Sequence, residues 1–146
     1  MDVGVFPFSV SELSEPASAD LSAYVRQALL SQGAAETIAH ISTAPWDELP
    51  AWKARKLSEN DKLRAIGADA AGRGLELAVV GRVGSAFRKP SKGLSVRATV
   101  WVIRARDSEI VWYGTKQADW IRYFPLEECL SHLAWSFVLD WGGSGA

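Results

Sequence analysis

Residues 75–116 read LELAVVGRVGSAFRKPSKGLSVRATVWVIRARDSEIVWYGTK, and the period of their apolar positions decides the fold class. In the first segment Leu75, Leu77, Val79, Val83 and Phe87 recur at period two, with Glu76, Arg82 and Arg88 on the opposite parity. Such alternation belongs to a strand with one face buried, because successive side chains of extended backbone point to opposite sides. In the second segment Leu94, Val96, Ala98, Val100 and Val102 alternate with Ser95, Arg97 and Thr99, and Pro90 with Gly93 marks the preceding turn. A polar loop from Arg104 to Glu109, centred on Asp107 and Ser108, leads into Ile110, Val111, Trp112 and Tyr113. The pattern predicts three consecutive antiparallel strands, and a meander of this length needs a helical layer over its apolar face.

Working outward, Val3 to Val10 reads as a strand apolar on both parities, hence covered on both faces, with Pro7 bending it or ending its pairing. After a polar loop from Ser9 to Ser18, Ser18 or Asp20 is expected to cap a helix carrying Leu21, Tyr24, Val25, Ala28 and Leu29 on one face, closed by Gly33. Glu36 to Ser42 reads as a short strand. Trp52 and Lys56 fall on a short helical piece, and Ser58 or Asn60 caps a longer helix with Leu63, Ile66, Gly67 and Ala70 on one face, stopped by Gly72 and Gly74. At the far end Pro125 suits a first helical position, and Leu126, Cys129, Leu130, Leu133, Phe137 and Trp141 follow at helical spacing up to Gly142. The expectation is a single α/β (α+β) domain over residues 1–146 in the order β-α-β-α-β-β-β-α. Its five-stranded, mixed, mostly antiparallel sheet is packed with helices, and GGSGA at 142–146 forms a short flexible tail.

The 146 residues suffice for one domain that buries roughly 70% of the surface its unfolded chain exposes. The single cysteine, Cys129, cannot form an intramolecular disulfide, so cysteine usage demands no particular redox compartment. The formal charge of −1 hides an asymmetry. Residues 1–50 carry one cation against seven acids, residues 51–106 thirteen against four, and residues 107–146 two against six, which places a basic third between acidic flanks. No apolar run approaches the 18 or so residues of a membrane span. Met1-Asp2 leads directly into VGVFPF without the basic region of a signal peptide, so either the protein is cytoplasmic or an export signal preceded Met1.

Catalytic chemistry finds little footing. His40 and His132 are the only imidazoles, and neither stands in a recognisable nucleophile–base context. Glu128, Cys129 and His132 lie near one another on one helix but lack the second cluster that a four-ligand zinc site needs. Gly67, Gly72 and Gly74 fit helix termination better than a phosphate loop. Asp47 with Glu48, and Glu127 with Glu128, are adjacent and point apart in regular structure. No catalytic residue, metal or cofactor is therefore assigned, and the expectation is a protein that is not an enzyme. Two surfaces remain as binding candidates: a basic hairpin region with Arg82, Arg88, Lys89, Lys92, Arg97, Arg104 and Arg106, joined by Trp101 on the parity of Arg97, and an aromatic loop with Trp120, Arg122, Tyr123 and Phe124.

The opening VGVFPF strand, the helix ending YVRQALLSQG, a second helix before LELAVVGRV, and then VRATVWVIRARDSEIVWYG together resemble a group of bacterial envelope domains. The group includes the N-terminal domain of the Tol-Pal translocation protein, the curli secretion lipoprotein and the lipoprotein activator of a penicillin-binding protein. Val80, Gly81 and Val83, then Asp107 and Trp112, match its strand-loop-strand pattern. Ser108 and Glu109 replace the usual Thr-Gly, and the lipidated N-terminal cysteine is not matched. The resemblance implies a periplasmic or outer-membrane-associated protein-binding or assembly module, whose partner is an envelope protein or an anionic surface, with self-association left open. A nucleic-acid-binding domain of anticodon-binding-like fold is the alternative, motivated by the basic centre.

Overall fold

The computed structural model describes residues 2–10, 15–32, 37–89, 93–120 and 126–141. Strands β1 (Asp2–Val5), β2 (Ser9–Val10), β3 (Thr37–His40), β4 (Leu77–Lys89), β5 (Gly93–Arg104) and β6 (Glu109–Trp120) form one sheet with helices α1 (Glu15–Gln32), α2 (Ala51–Ala54), α3 (Glu59–Gly72) and α4 (Leu126–Trp141). The sheet runs β3-β1-β4-β5-β6, with the two-residue β2 pairing β4 beside β1. β1 is parallel to β3 and β4, whereas β4, β5 and β6 form the expected antiparallel meander. The five-stranded mixed sheet and the order of elements are those expected from the sequence.

Why the opening strand is split follows from Pro7, which has no N–H to donate. Backbone pairing continues only to Phe6, whose N–H donates to the Val79 carbonyl at 2.8 Å, and resumes at Ser9. Both faces of β1 are covered: Val3 and Val5 lie in one core and Phe6 in the other. α1 begins at Glu15, ahead of the expected cap at Ser18 or Asp20. Pro16, expected in a loop, occupies its first turn, where the N–H groups lack intrahelical acceptors and proline's fixed φ suits the helix. Gly33, Pro125 and Gly142, named as helix boundaries, lie outside the described residues, as does the tail at 142–146. Ser58 caps α3: its Oγ accepts from the Asp61 N–H at 3.1 Å, while Asp61 accepts from the Ser58 N–H at 3.3 Å.

The sheet separates two cores. On one side α1 and α4 bury Leu21, Val25, Leu29, Leu130, Leu133 and Phe137 against Val79, Val100 and Val102. On the other side α3 buries Leu63, Ile66 and Ala70 against Phe6, Ala78, Val80 and Ile103. Each fully buried branched or aromatic side chain contributes about 1.5–3 kcal/mol by leaving water. Covering on both sides corrects the expectation of one buried face for the first strand of the meander, since Leu77, Ala78, Val79 and Val80 are all buried. A second correction concerns parity. The β4–β5 register shifts between Val83 and Ser85, so Phe87 falls opposite Ser95 and no longer continues the row begun by Leu77 and Val79.

Candidate functional site

The helical layer on the α3 side is shorter than the sheet it covers. α3 lies over Ala78, Val80, Ile103 and Ala105, and beyond those residues the sheet face opens. Three cross-strand rows run from the edge of α3 onto the open area. Val80, Trp101 and Tyr113 form the first, Arg82, Thr99 and Thr115 the second, and Ser85, Arg97 and Gln117 the third. On β5 the contrast between faces is sharp: Ala98, Val100 and Val102 are buried under α1 and α4, while Arg97 is exposed and Thr99 and Trp101 are half-buried. The hydroxyls of Thr99 and Thr115 lie 2.8 Å apart, tying β5 to β6 across the middle row.

β6 closes one end of the sheet. It pairs with β5 along its length and, among the described residues, with no strand on its other side. Tyr113 at its centre is 67% exposed and Ile110 is 45% exposed. An edge of this length presents unpaired backbone donors and acceptors that a further strand can use. Its inner face is anchored by Trp112, whose ring meets Phe137 of α4 edge-on with centroids 6.5 Å apart, and by an ion pair between Lys116 and Asp140.

At the border between α3 and the open face lies a shallow, open groove of about 30 Å³. Trp46, Trp101, Glu59 and Lys62 line it, and Arg82 stands next to it as the partner of Glu59. Lys62 Nζ lies 5.4 Å from the centre of the Trp46 ring, within range of a cation–π contact. Arg82 Nη1 and Glu59 Oε1 are 3.7 Å apart. Trp46 is placed by the 3₁₀ turn Pro45–Glu48, which Asp47 closes by accepting from the Ala44 N–H at 2.8 Å.

The β5–β6 turn is held by charge. Arg104 donates from Nε and Nη2 to Asp107, at 3.1 and 2.8 Å, and from Nη2 to Glu109 at 2.7 Å. The hydrogen bond from Arg104 holds the Asp107 carboxyl below the usual carboxylate range, and the same bond raises Arg104. The Asp107 noted in the sequence thus organises the turn.

Of the residues singled out from the sequence, Arg97 and Trp101 share the open face. Arg88 and Lys89 sit at the end of β4, opposite Leu94 and Gly93. Trp120, expected in a loop, is the last residue of β6 and lies opposite Leu94, because pairing with β5 continues past Lys116. Arg88, Leu94 and Trp120 therefore share one row. Lys92, Arg122, Tyr123 and Phe124 lie outside the described residues. Sequence reasoning missed Trp46, Lys62, Thr115 and Gln117 as members of one surface. Tyr113 could have been placed by continuing the alternation past Trp112, but nothing local points from Trp46 to Trp101. Among the described residues no three His, Cys, Asp or Glu side chains gather as a metal site would require, and no helix is long and apolar enough to cross a membrane.

No family model matches the chain, and no curated protein matches it in sequence. Solved structures do match in fold. The PelC dodecamer of Paraburkholderia phytofirmans superposes with a TM-score of 0.68 at 15% identity, covering 94% of this chain and 85% of that one. Lipoprotein GNA1162 from Neisseria meningitidis gives 0.58 at 14% identity over 98% and 97% of the two chains. The LpoB C-terminal domain from Salmonella enterica gives 0.52 at 14% identity over 82% of each. At these identities the likeness establishes the fold, and the resemblance to bacterial envelope lipoprotein-type domains holds at that level.

Proposed function

We propose that this chain is a non-catalytic protein-binding or assembly module of a bacterial cell envelope, acting in the periplasm or at the outer membrane. The observation that carries the reading is the twelve-residue β6, whose outer edge is unpaired among the described residues and which exposes Tyr113 at its centre. A partner segment adds to such an edge through backbone hydrogen bonds and reads the side chains of the adjoining face. Guanidinium, hydroxyl, amide and aromatic groups on that face suit contact rather than bond-breaking. The fold shared with a lipoprotein supports the compartment, and the fold shared with a dodecamer supports self-association as one form of assembly. Fractionation of cells expressing the tagged gene from its own start should recover the protein with the envelope, and recovery in the soluble cytoplasm would contradict the reading.

Nucleic-acid binding is the second reading, favoured by Trp101 and Tyr113 lying opposite each other on an open sheet face that also carries Arg82 and Arg97. Salt-dependent binding of single-stranded RNA tighter than about 10⁻⁴ M at physiological salt would support it over the first.

A further inference from the structure

We propose that the shallow groove lined by Trp46 and Trp101 packs against the face of an aromatic side chain from an extended, acidic segment of a partner protein, with Lys62 and Arg82 meeting the carboxylates that flank it. This rests on the binding-module reading and names the partner's chemistry.

The lining is mostly apolar, with Pro7, Leu63, Ile66 and Val80 beside the two indoles. Both indoles are half-buried and packed against the core of Phe6, Ile66 and Val80, so they are held in place before any ligand arrives. Concave apolar sites with a few polar groups at the rim are where ligands seat planar apolar groups. Rings flanked by rings gain edge or offset-stacked contacts beyond their buried area.

The rim supplies the sign. Lys62 makes no ion pair among the described residues, and its ammonium instead rests over the Trp46 ring. The contact of Arg82 with Glu59 is long, at 3.7 Å, between side chains 51% and 47% exposed, so an incoming carboxylate can replace Glu59 at little cost. Past the groove the open face continues over Thr99 to the exposed Arg97. An extended segment running in this direction meets one apolar slot and then a line of donors. The complement is a ring with acidic neighbours.

The test is titration of the full chain, labelled at the tryptophan indole nitrogens, with an acetylated and amidated hexapeptide in which one phenylalanine is flanked by glutamates. The indole signals of Trp46 and Trp101 should shift saturably below about 1 mM, while the exposed Trp52 outside the groove stays fixed. Lys62→Gln should weaken binding at least fivefold without lowering the melting temperature, and Trp101→Phe should weaken it while retaining the fold. The proposal is overturned by equal binding of a peptide with alanine for phenylalanine, equal binding of a lysine-flanked peptide, or no shift at millimolar peptide. It is also overturned if single-stranded oligouridylate moves the same two signals at lower concentration than the peptide. None of these outcomes changes recovery of the protein with the envelope, so failure of the groove and failure of the envelope reading are separable.

Discussion

Ser108, at the tip of the β5–β6 turn, rests directly on Gly67 of α3: a Cβ placed on Gly67 would come within 2.9 Å of the Ser108 Cβ and 3.1 Å of its Cα. Ser108 itself has φ 58, in the left-handed region, and its Oγ reaches the Arg64 carbonyl at 3.5 Å. Through this contact α3 fixes the height of the turn, and with it the start of β6.

Gly67→Ala is therefore expected to destabilise the protein. Alanine gains about 1 kcal/mol of helix propensity, but overpacking against backbone typically costs about 1–3 kcal/mol. A net loss of about 1 kcal/mol in denaturant unfolding is predicted, and Ser108→Gly should recover part of it, since glycine both frees space and suits the positive φ. Equal stability of Gly67→Ala and the wild type would show that the turn gives way freely.

Acid should loosen the same turn. The Asp107 carboxyl is held below its usual range by the hydrogen bond from Arg104, so the folded state favours the carboxylate. This contribution is fully present above the ordinary aspartate pKa of about 3.9 and is lost as pH falls through the lowered folded value. The Glu109 amide, which donates to Asp107 Oδ1 at 3.2 Å, should report that protonation by a chemical-shift change in acid. In Asp107→Asn the Asp107 component of that change should be lost.

The packing that anchors β6 is tested by Phe137→Ala. Phe137 is 1% exposed and meets Trp112 edge-on, and the Trp112 ring lies over Gly114, where an added Cβ would come within 2.8 Å of it. A loss of about 3–5 kcal/mol is expected from the cavity and the lost ring contact, with a changed near-ultraviolet circular dichroism signal. Gly114→Val should displace the same indole and produce a similar spectral change.

Much of this architecture was readable from residue order, and where it was not the reason is physical. Val96 to Val102 alternate cleanly because helices cover only one side there, so Ala98 and Val100 are buried while Arg97 is exposed. Period two fails at Leu77 to Val80 because a second helix covers the opposite face and every position turns apolar. The bulge between Val83 and Ser85 then inverts the count, and Gly84, the residue it leaves unpaired, is its one local signal. Gln117 to Trp120 look like loop because the far end of β6 needs no apolar pattern to pair with β5. Of the candidate site, Arg97 and Trp101 were legible from parity. Trp46 and Lys62 were not, because a short turn and a helix deliver them from elsewhere in the chain.

Tyr113→Lys separates function from stability at the edge. The side chain is 67% exposed, so stability should change by no more than about 0.5 kcal/mol. A lysine there opposes strand addition, and complexes recovered from the envelope should fall at least tenfold.

The most direct measurement is a scan with a photo-activated cross-linking residue in cells expressing the tagged protein. Placed at Tyr113, Thr115 and Gln117 on β6, and at Gln27, Leu30 and Leu139 on the opposite helical layer, it reports which side meets a partner. Discrete protein adducts from the β6 positions, without adducts from the helical ones, are predicted. Adducts confined to α1 and α4 would contradict the account, because the open sheet would then face away from the partner.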